Sequence, residues 1–312
     1  MGSGAIGSGR GARPKVTRRR EVSDASARSL LTTLLGEYVL PQGEPVWTQT
    51  IVDVLGRFDI EEKSARQALA RVAAEGWLSS ERVGRRVRWA LTPPGRRLLV
   101  EGAERIYGFG SGNQQWDGRW LVVMVSVPET KRELRHRLRT RLSWAGFGSP
   151  EPGVWVSPHI VAEAEAKSIL EDLALTSEVM SFIATYGALG DVQRMVASAW
   201  DLQEVADKYE SFIDQFSGLD TRTPESALLA QTRLVHEWRR FPFLDPQLPG
   251  ELLPAKWSGS RATQLFSDNH AAWKTLERGF VGLGDTQTVR TAGPGVPASR
   301  PGPGPARPRG SR

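Results

Sequence analysis

The stretch that decides the fold is IEEKSARQALARVAAEGWLSSERVGRRVRWALT, residues 60–92. Its first half places apolar side chains at i, i+4, i+7 and i+8, which predicts an amphipathic helix over residues 60–76. These apolar residues are Ala65, Leu69, Val72 and Ala73. Gly76 predicts the end of the helix, and β-favouring residues on both sides of Gly84 predict a hairpin. A helix followed by a basic hairpin is the arrangement that a DNA-reading domain needs.

The outer face of this predicted helix mixes small residues with long hydrogen-bond donors. Small side chains allow close approach to DNA, while amide and guanidinium groups match base edges and phosphates. The candidate DNA-contacting residues on this face and at its edges are Lys63, Ser64, Arg66, Gln67 and Arg71. The alternative is an ordinary solvated face, which many amphipathic helices have.

Arginines crowd the tip of the predicted hairpin. Guanidinium groups so close together repel one another unless an anion lies across them, and a DNA phosphate backbone is such an anion. The candidate phosphate contacts are Arg82, Arg85, Arg86 and Arg88. The alternative, a merely soluble edge hairpin, would not require arginine rather than lysine.

Two further amphipathic helices are predicted before this stretch. SARSLLTTLLGEYVL, residues 26–40, carries a leucine-rich stripe, and Pro41 is expected to stop it. VWTQTIVDVLGRFDI, residues 46–60, is predicted as the second helix, with Thr48 as its N-cap. Three helices and a hairpin predict a winged helix-turn-helix domain over residues 25–107, with a linker helix at its end.

The net charge of +6 is distributed unevenly over the 312 residues. Residues 1–23 hold six basic residues against one acid, as do residues 81–97 and residues 131–141. Residues 151–283 instead carry nineteen acids against eleven bases. Basic patches beside an acidic body indicate a nucleic-acid-binding face joined to a part that does not bind nucleic acid.

The chain contains no cysteine and only four histidines, at scattered positions. Disulfides, thiolate catalysis, thiolate zinc sites and iron–sulfur clusters are therefore excluded, and no cofactor or metal is expected. No apolar run reaches the roughly 20 residues that a bilayer span needs, and the N-terminus lacks the apolar segment of a signal peptide. We therefore expect a cytoplasmic protein with no membrane contact.

The rest of the sequence makes the fold class multi-domain α+β. Alternating strands and helices over residues 116–198 predict a ferredoxin-like central domain. Its basic helix, residues 131–141, has arginines that either contact DNA or pair with the acidic part of the chain across a domain interface. Residues 199–283 show helical spacing throughout and predict an α-helical C-terminal domain. The Gly-, Pro- and Arg-rich ends, residues 1–24 and 284–312, are expected to be disordered.

Three segments carry a resemblance to a known family. SARQALARVAAEGWL with VGRRVRWALTPPG resembles the N-terminal domain of the PaaX family of bacterial transcriptional regulators, the phenylacetate-degradation repressors and their relatives. WDGRWLVVMVSVPETKRELRHRLRTRLSWAGFGSPEPGVWVSPH, residues 116–159, is similar to that family's central domain. HEWRRFPFLDPQLPGELLPAKWSG, residues 236–259, is similar to its C-terminal signature. The resemblance implies a homodimeric regulator, in the first place a repressor, that binds a double-stranded DNA operator.

The resemblance also implies an effector. Regulators of this type are released from the DNA of a catabolic operon by acyl- or aryl-CoA thioesters such as phenylacetyl-CoA. Arg239 and Arg240 are candidates to meet the phosphates, and Trp238 to stack on an aromatic ring. The alternative is that Trp238 belongs to the core and that the neighbouring charges pair locally.

Two other functions stay open. The family's central domain is similar to the small nuclease of CRISPR spacer acquisition, which keeps a carboxylate at the end of its first strand to hold a divalent metal. Here that strand ends in Val125-Ser126-Val127, and no acid follows before Glu129, so the protein is not expected to be an enzyme. The second alternative is a sequence-neutral nucleic-acid-binding protein driven by its arginine-rich tails.

Overall fold

The structure is a computed structural model that describes residues 26–110 and 115–277. The predicted disordered tails, residues 1–24 and 284–312, lie outside the described residues. In the described residues, α-helices and two antiparallel sheets form several hydrophobic cores. The predicted class, multi-domain α+β, is therefore confirmed. In this part of the chain no helix is both long and apolar enough to cross a membrane.

Helix α4, Glu62–Ala74, forms where the apolar spacing predicts it. Its predicted inner residues are buried or half-buried, and Ala68 is buried beside them. Gly76 takes φ 83°, a left-handed conformation that glycine adopts without strain, and this turns the chain out of the helix. The predicted end of α4 is therefore confirmed.

The hairpin follows directly, with strand β2 at Leu78–Val83 and strand β3 at Arg86–Leu91. Gly84 in the turn has φ 61°, as a tight hairpin turn requires. A third strand, β1 at Val46–Trp47, pairs antiparallel with β3, so the sheet order is β1-β3-β2. Strand β1 was not predicted, because two residues cannot display a strand period.

Strand β1 shortens the helix predicted at residues 46–60. Helix α3 spans Thr48–Gly56, and Trp47 occupies its N-cap position, so the prediction of Thr48 as the cap is wrong. The Thr48 hydroxyl instead donates to the Val87 carbonyl at 3.0 Å and accepts from the indole N–H of Trp89 at 2.9 Å. Thr48 therefore fastens α3 to the hairpin rather than closing the helix end.

The first helix passes through the proline that was expected to stop it. Helix α1, Ala27–Leu34, widens into a π-helical turn at Leu35–Val39 and continues as α2, Leu40–Gln42. The N–H of Leu40 donates to the carbonyl of Leu35, five residues earlier. The wider turn gives the ring of Pro41 space that a regular α-helical turn lacks, which is why the expected stop is wrong.

Helix α5, Pro93–Tyr107, is the predicted linker helix, and the Thr92 hydroxyl caps it by accepting from Gly95 N at 3.1 Å. The core of this N-terminal part contains leucine and valine side chains from α1, α3, α4 and α5. It also contains Leu228, which comes from a helix far along the chain.

The central part has the element order β-α-β-β-α-β. Strand β4 is Arg119–Val125, β5 is Gly148–Glu151, β6 is Val154–Ser157 and β7 is Val179–Thr185. Helices α6, Arg132–Trp144, and α7, Glu163–Asp172, pack on one face of this antiparallel sheet, whose order is β5-β6-β4-β7. Strand β5 was not predicted, because its sequence GSPE is typical of a turn.

Helix α8, Val192–Ala199, had no counterpart in the sequence predictions and covers the opposite face of the sheet. The helical end consists of α9, Leu202–Phe216, α10, Pro224–Trp238, and α11, Gly259–Glu277. Side chains of Asp201 and Thr223 cap α9 and α10. Helix α10 packs against both α11 and α1, so the C-terminal helices are in direct contact with the N-terminal part.

Candidate nucleic-acid interface

The outward face of α4 presents every residue predicted to contact DNA from this helix. Lys63, Ser64, Arg66, Gln67 and Arg71 are all exposed. The opposite side of α4 is fixed in the core shared with α1 and α3, which orients this face toward solvent. Lys63, Arg66 and Gln67 surround an open depression that also includes the small residue Ala70. The helix therefore offers donors around a point of close approach.

One acidic residue offsets part of the positive charge on this face. Arg66 Nη2 lies 2.7 Å from Oε1 of Glu62, one helical turn earlier, and both side chains are largely exposed. An exposed pair of this kind contributes no more than about 0.5 kcal/mol. The guanidinium of Arg66 can therefore exchange Glu62 for a phosphate or a base edge at little cost.

The strand register spreads the arginines around the basic hairpin, residues 78–91. Opposed residues share a face of an antiparallel pair. Arg86 opposes Val83 and Arg88 opposes Glu81 on one face, whereas Arg82 opposes Val87 on the other. Arg85 lies in the turn between the strands. The four guanidiniums thus surround the tip rather than line one side of it.

Acids offset little of this charge, because residues 78–91 contain four arginines and one glutamate. Arg88 pairs with that glutamate, Glu81, at 2.8 Å. Arg86 lies 6.0 Å from the ring centre of Trp47, and Arg82 donates to the Gly84 carbonyl at 3.3 Å. The tip of the basic hairpin therefore keeps a positive potential that suits phosphate.

The residues that brace the hairpin escaped prediction. Thr48 and Trp89 join α3 to β3 through the hydrogen bonds described above, and their separation of 41 residues leaves no local signal in the sequence. Trp89 is half-buried against the N-terminal core. This brace fixes the hairpin relative to α3, so that its arginines are held in place.

Trp238, predicted as an effector contact, lies in the core. It is fully buried and stacks on Phe266 with ring centres 4.5 Å apart. Phe212 and Phe241 pack within 5.4 Å of it, and its indole N–H donates to the Ile106 carbonyl at 3.2 Å. No ring face remains open to a ligand. The alternative interpretation, a core tryptophan, accounts for its position.

The two neighbouring arginines also have local partners. Arg239 Nη1 donates to the Ser29 carbonyl at 3.1 Å and to the Thr33 hydroxyl at 3.0 Å, which ties α10 to α1. Arg240 pairs with Glu237 at 3.1 Å and lines a cavity of about 160 Å³. Ligand pockets usually have about 300–1,000 Å³, so this cavity is too small for a CoA thioester.

A buried carboxylate joins the N-terminal part to the C-terminal helices. Glu37, in the π-helical turn, accepts hydrogen bonds from Gln231 Nε2 at 2.6 Å, from the Tyr107 hydroxyl, and from His270 Nε2 at 2.8 Å in the tautomer that carries its proton there. Burial raises the pKa of Glu37, but the hydrogen bonds and the charge of His270 outweigh it and hold the pKa below its ordinary value. The neighbouring Tyr38 hydroxyl lies 2.9 Å from that of Thr232.

Acid pH is expected to destabilise this interface through His236. The imidazole is buried with Nδ1 3.0 Å from the Thr33 hydroxyl, and burial together with the charges of Arg239 and Arg240 lowers its pKa from 6.5 to about 4. Well above pH 6.5 the imidazole is neutral in both folded and unfolded chains. As the pH falls from 6.5 toward 4, the unfolded chain takes up a proton that the folded protein excludes, so the free energy of unfolding decreases.

The decrease is on the order of 3 kcal/mol across this window. Urea unfolding followed by circular dichroism between about pH 7 and about pH 4.5 measures it. In H236Q the slope of stability against pH should be shallower than in the wild type. Equal slopes for wild type and H236Q would contradict the assignment to His236.

The end of β4 lacks the ligands of a metal-dependent nuclease. Val125 ends the strand, Ser126 follows it, and the next acid, Glu129, is almost fully exposed. Among the described residues, no group of three or more His, Cys, Asp and Glu side chains is placed to hold a metal ion. Cations from α6 lie near this strand end instead.

Comparisons with known proteins agree in order and extent. The family model for PaaX-like protein matches residues 26–95, that for the PaaX protein central Cas2-like domain matches residues 113–196, and that for the PaaX-like protein C-terminal domain matches residues 200–282. The chain is 31% identical over 282 residues to the transcriptional repressor PaaX of Escherichia coli (strain K12), covering 86% of this chain and 88% of that protein.

A solved structure shares the fold. It is that of the uncharacterized protein Rv0674 from Mycobacterium tuberculosis, with a TM-score of 0.57 and 22% sequence identity. The match covers 81% of this chain and 98% of that one. At this identity the likeness concerns the fold alone.

Proposed function

The chain belongs to the PaaX family, and from that premise we propose that it is a DNA-binding transcriptional repressor. The observation that carries the proposal is the exposed donor-rich face of α4 followed at once by the basic hairpin. The relative named above is a transcriptional repressor, which supports the same function. The protein acts by occupying DNA and performs no catalysis.

The N-terminal part acts as a winged helix-turn-helix. Helix α4 enters a major groove, where Ser64, Arg66, Gln67 and Arg71 contact bases or nearby phosphates and Lys63 adds charge. The basic hairpin is the wing, and its four arginines hold the flanking phosphate backbone. The central part has the strand order and the β-α-β-β-α-β sequence of a ferredoxin-like domain, which supports that assignment.

The protein acts as a homodimer on two half-sites about one helical turn apart. Strand β7 supports this, because it lies at the edge of the central sheet and exposes apolar side chains. Met180 and Phe182 on one face of β7 are both more than half exposed, at 58% and 52%. Edge-to-edge pairing of two β7 strands would cover them and satisfy their free backbone groups with two-fold symmetry.

F182D is accordingly expected to convert a dimer into a monomer, because the charge would be buried against its own copy. Light scattering during size-exclusion chromatography at about 10 µM gives the mass. V161D is the control, since Val161 is 86% exposed and lies outside β7. A dimeric F182D protein would place the dimer contact elsewhere.

The repressor regulates a catabolic operon and leaves its DNA when an acyl- or aryl-CoA thioester binds, with phenylacetyl-CoA as the first candidate. The family supports this effector class. The cluster at Trp238 does not provide its site, since that side chain fills the core.

Gel-shift titration with the DNA upstream of its own gene tests the proposal directly. The complex should form at nanomolar to tens of nanomolar protein, weaken steeply with salt, and dissociate with one member of a thioester panel. A variant lacking residues 1–23 and 285–312 should keep the same operator preference. Loss of that preference would instead indicate a sequence-neutral binder driven by its tails, and cleavage of labelled nucleic acid with Mg²⁺ or Mn²⁺ would indicate a nuclease.

A further inference from the structure

A cavity of about 510 Å³ opens where β4 ends and α6 begins. The buried side chains of Val125, Leu138 and Trp155 form its apolar lining. Ser126 and Ser149 add hydroxyl groups at its wall. Its volume lies within the range of small-molecule sites.

One stripe of α6 lines this cavity with basic side chains. Arg132, Arg135, His136 and Arg139 occur at i, i+3, i+4 and i+7, so they project from one side of the helix, and all four are exposed. The carboxylate among the lining residues belongs to Glu129, whose side chain is 95% exposed and 3.8 Å from Arg135. Three guanidiniums therefore face one solvated carboxylate.

This arrangement opposes the stability of α6 itself. Like charges one turn apart repel each other, and Lys131 and Arg132 lie at the N-terminus, where the helix dipole is positive and Glu133 is the acid of the first turn. Lys131 at the N-cap provides no side-chain hydrogen bond to the first turn. Arg141 bonds Asp172 of α7 at 2.6 Å outside the cavity, within the central part itself rather than across a domain interface. An anion in the cavity would relieve both penalties.

We propose that this cavity binds a small organic phosphate carrying at least two separated phosphate groups. Arg132 and Arg139 are seven residues apart, about 10 Å along a helix, which exceeds the reach of one phosphate. Guanidinium forks match phosphate oxygens in pairs, and the apolar lining receives an uncharged portion of the ligand. The inference rests on the proposed function in one respect, because it gives the thioester effector of the repressor a site.

The concave shape favours a small ligand over a DNA backbone. An apolar lining of buried valine, leucine and tryptophan makes no favourable contact with the phosphates of a DNA backbone. It does suit the organic portion of a compact ligand. The cations lie around the opening and the apolar residues beneath it, so one molecule can satisfy both.

Isothermal calorimetry at low salt with coenzyme A as probe tests the site on the full chain, without DNA. The double variant R132A/R139A should bind about 10-fold or more weakly than the wild type. R137A is the matched control, because Arg137 lies exposed on the same helix but outside the cavity, and it should bind within about 2-fold of wild type. Pantetheine, which lacks the phosphates, should not bind, and pyrophosphate should compete with coenzyme A. Thermal unfolding confirms that each variant is folded.

Equal losses in R132A/R139A and R137A would overturn the proposal, since they would show diffuse attraction rather than a site. Absence of coenzyme A binding to the wild type at millimolar concentration would overturn it as well. So would a loss of DNA affinity in R132A/R139A without ligand that matches the loss caused by removing hairpin arginines. Failure of the wild type to bind its upstream DNA concerns the proposed function alone and leaves the calorimetric result standing.

Discussion

Replacing Glu37 with alanine is expected to lower the free energy of unfolding by about 3–5 kcal/mol. The carboxylate is 4% exposed and accepts from Gln231, Tyr107 and His270. Alanine would take this acceptor from the buried Gln231 amide, from the half-buried His270 imidazole and from the hydroxyl of the partly exposed Tyr107, and would leave a cavity in place of the carboxylate. Since these donors come from α5, α10 and α11, the loss falls on the interface between the N-terminal part and the C-terminal helices.

Urea unfolding at pH 7 measures this loss, with E37Q as an intermediate variant because an amide accepts on one oxygen only. E44A is the control, since Glu44 is exposed, and it should change stability by less than about 0.5 kcal/mol. The lowered pKa of Glu37 adds a pH signature. Its stabilisation is present above its ordinary pKa of 4.5 and is lost as the pH falls through the lower value of the folded state. An E37A protein as stable as E44A would refute the role of this carboxylate.

The second large effect is expected from R85A/R86A. Removing two guanidiniums from the tip of the basic hairpin should weaken DNA binding by about 10- to 100-fold at moderate salt, to a similar degree for all sequences. The slope of log affinity against log salt should fall by about 2, one unit for each lost phosphate contact. Fluorescence anisotropy at several salt concentrations gives both quantities.

Two controls separate charge from position. K167A/K256A removes the same charge from the C-terminal two-thirds of the chain and should leave the salt slope unchanged. Q67A changes a residue on α4. It should change the difference in binding free energy between operator sequences by about 1–3 kcal/mol and leave the salt slope unchanged. If R85A/R86A and Q67A both bind the operator like wild type, α4 and the hairpin are not the DNA-reading surface.

Local periodicity was sufficient for α4 and for the basic hairpin, because each depends on residues close together in the chain. It failed at Pro41, which follows a π-helical turn whose hydrogen bonds cannot be read from residue types. It also failed for β1 and β5, which are short or turn-like and gain their hydrogen bonds from distant strands. Elements stabilised by tertiary pairing carry little signal of their own.

For the candidate site, too, only the features that depend on local spacing could be predicted from the sequence. The exposure of Gln67 and Arg71 follows from the helical period, so the sequence located them on the outer face. The position of Trp238 depends on packing against Phe266 and Ile106, which no local pattern encodes. The arginines of α6 were visible in the sequence as a basic run. The cavity beside them could not be predicted, because it forms only when α6 packs beside β4 and β6.

The presence of Leu228 in the N-terminal core has a consequence for dividing the chain into parts. Part of the core of the N-terminal part is supplied by α10, a helix from the C-terminal end of the chain. Separating the chain at the end of α5 would remove Leu228 from that core, so a chimera is expected to fold stably only when it carries α10 along with the N-terminal part.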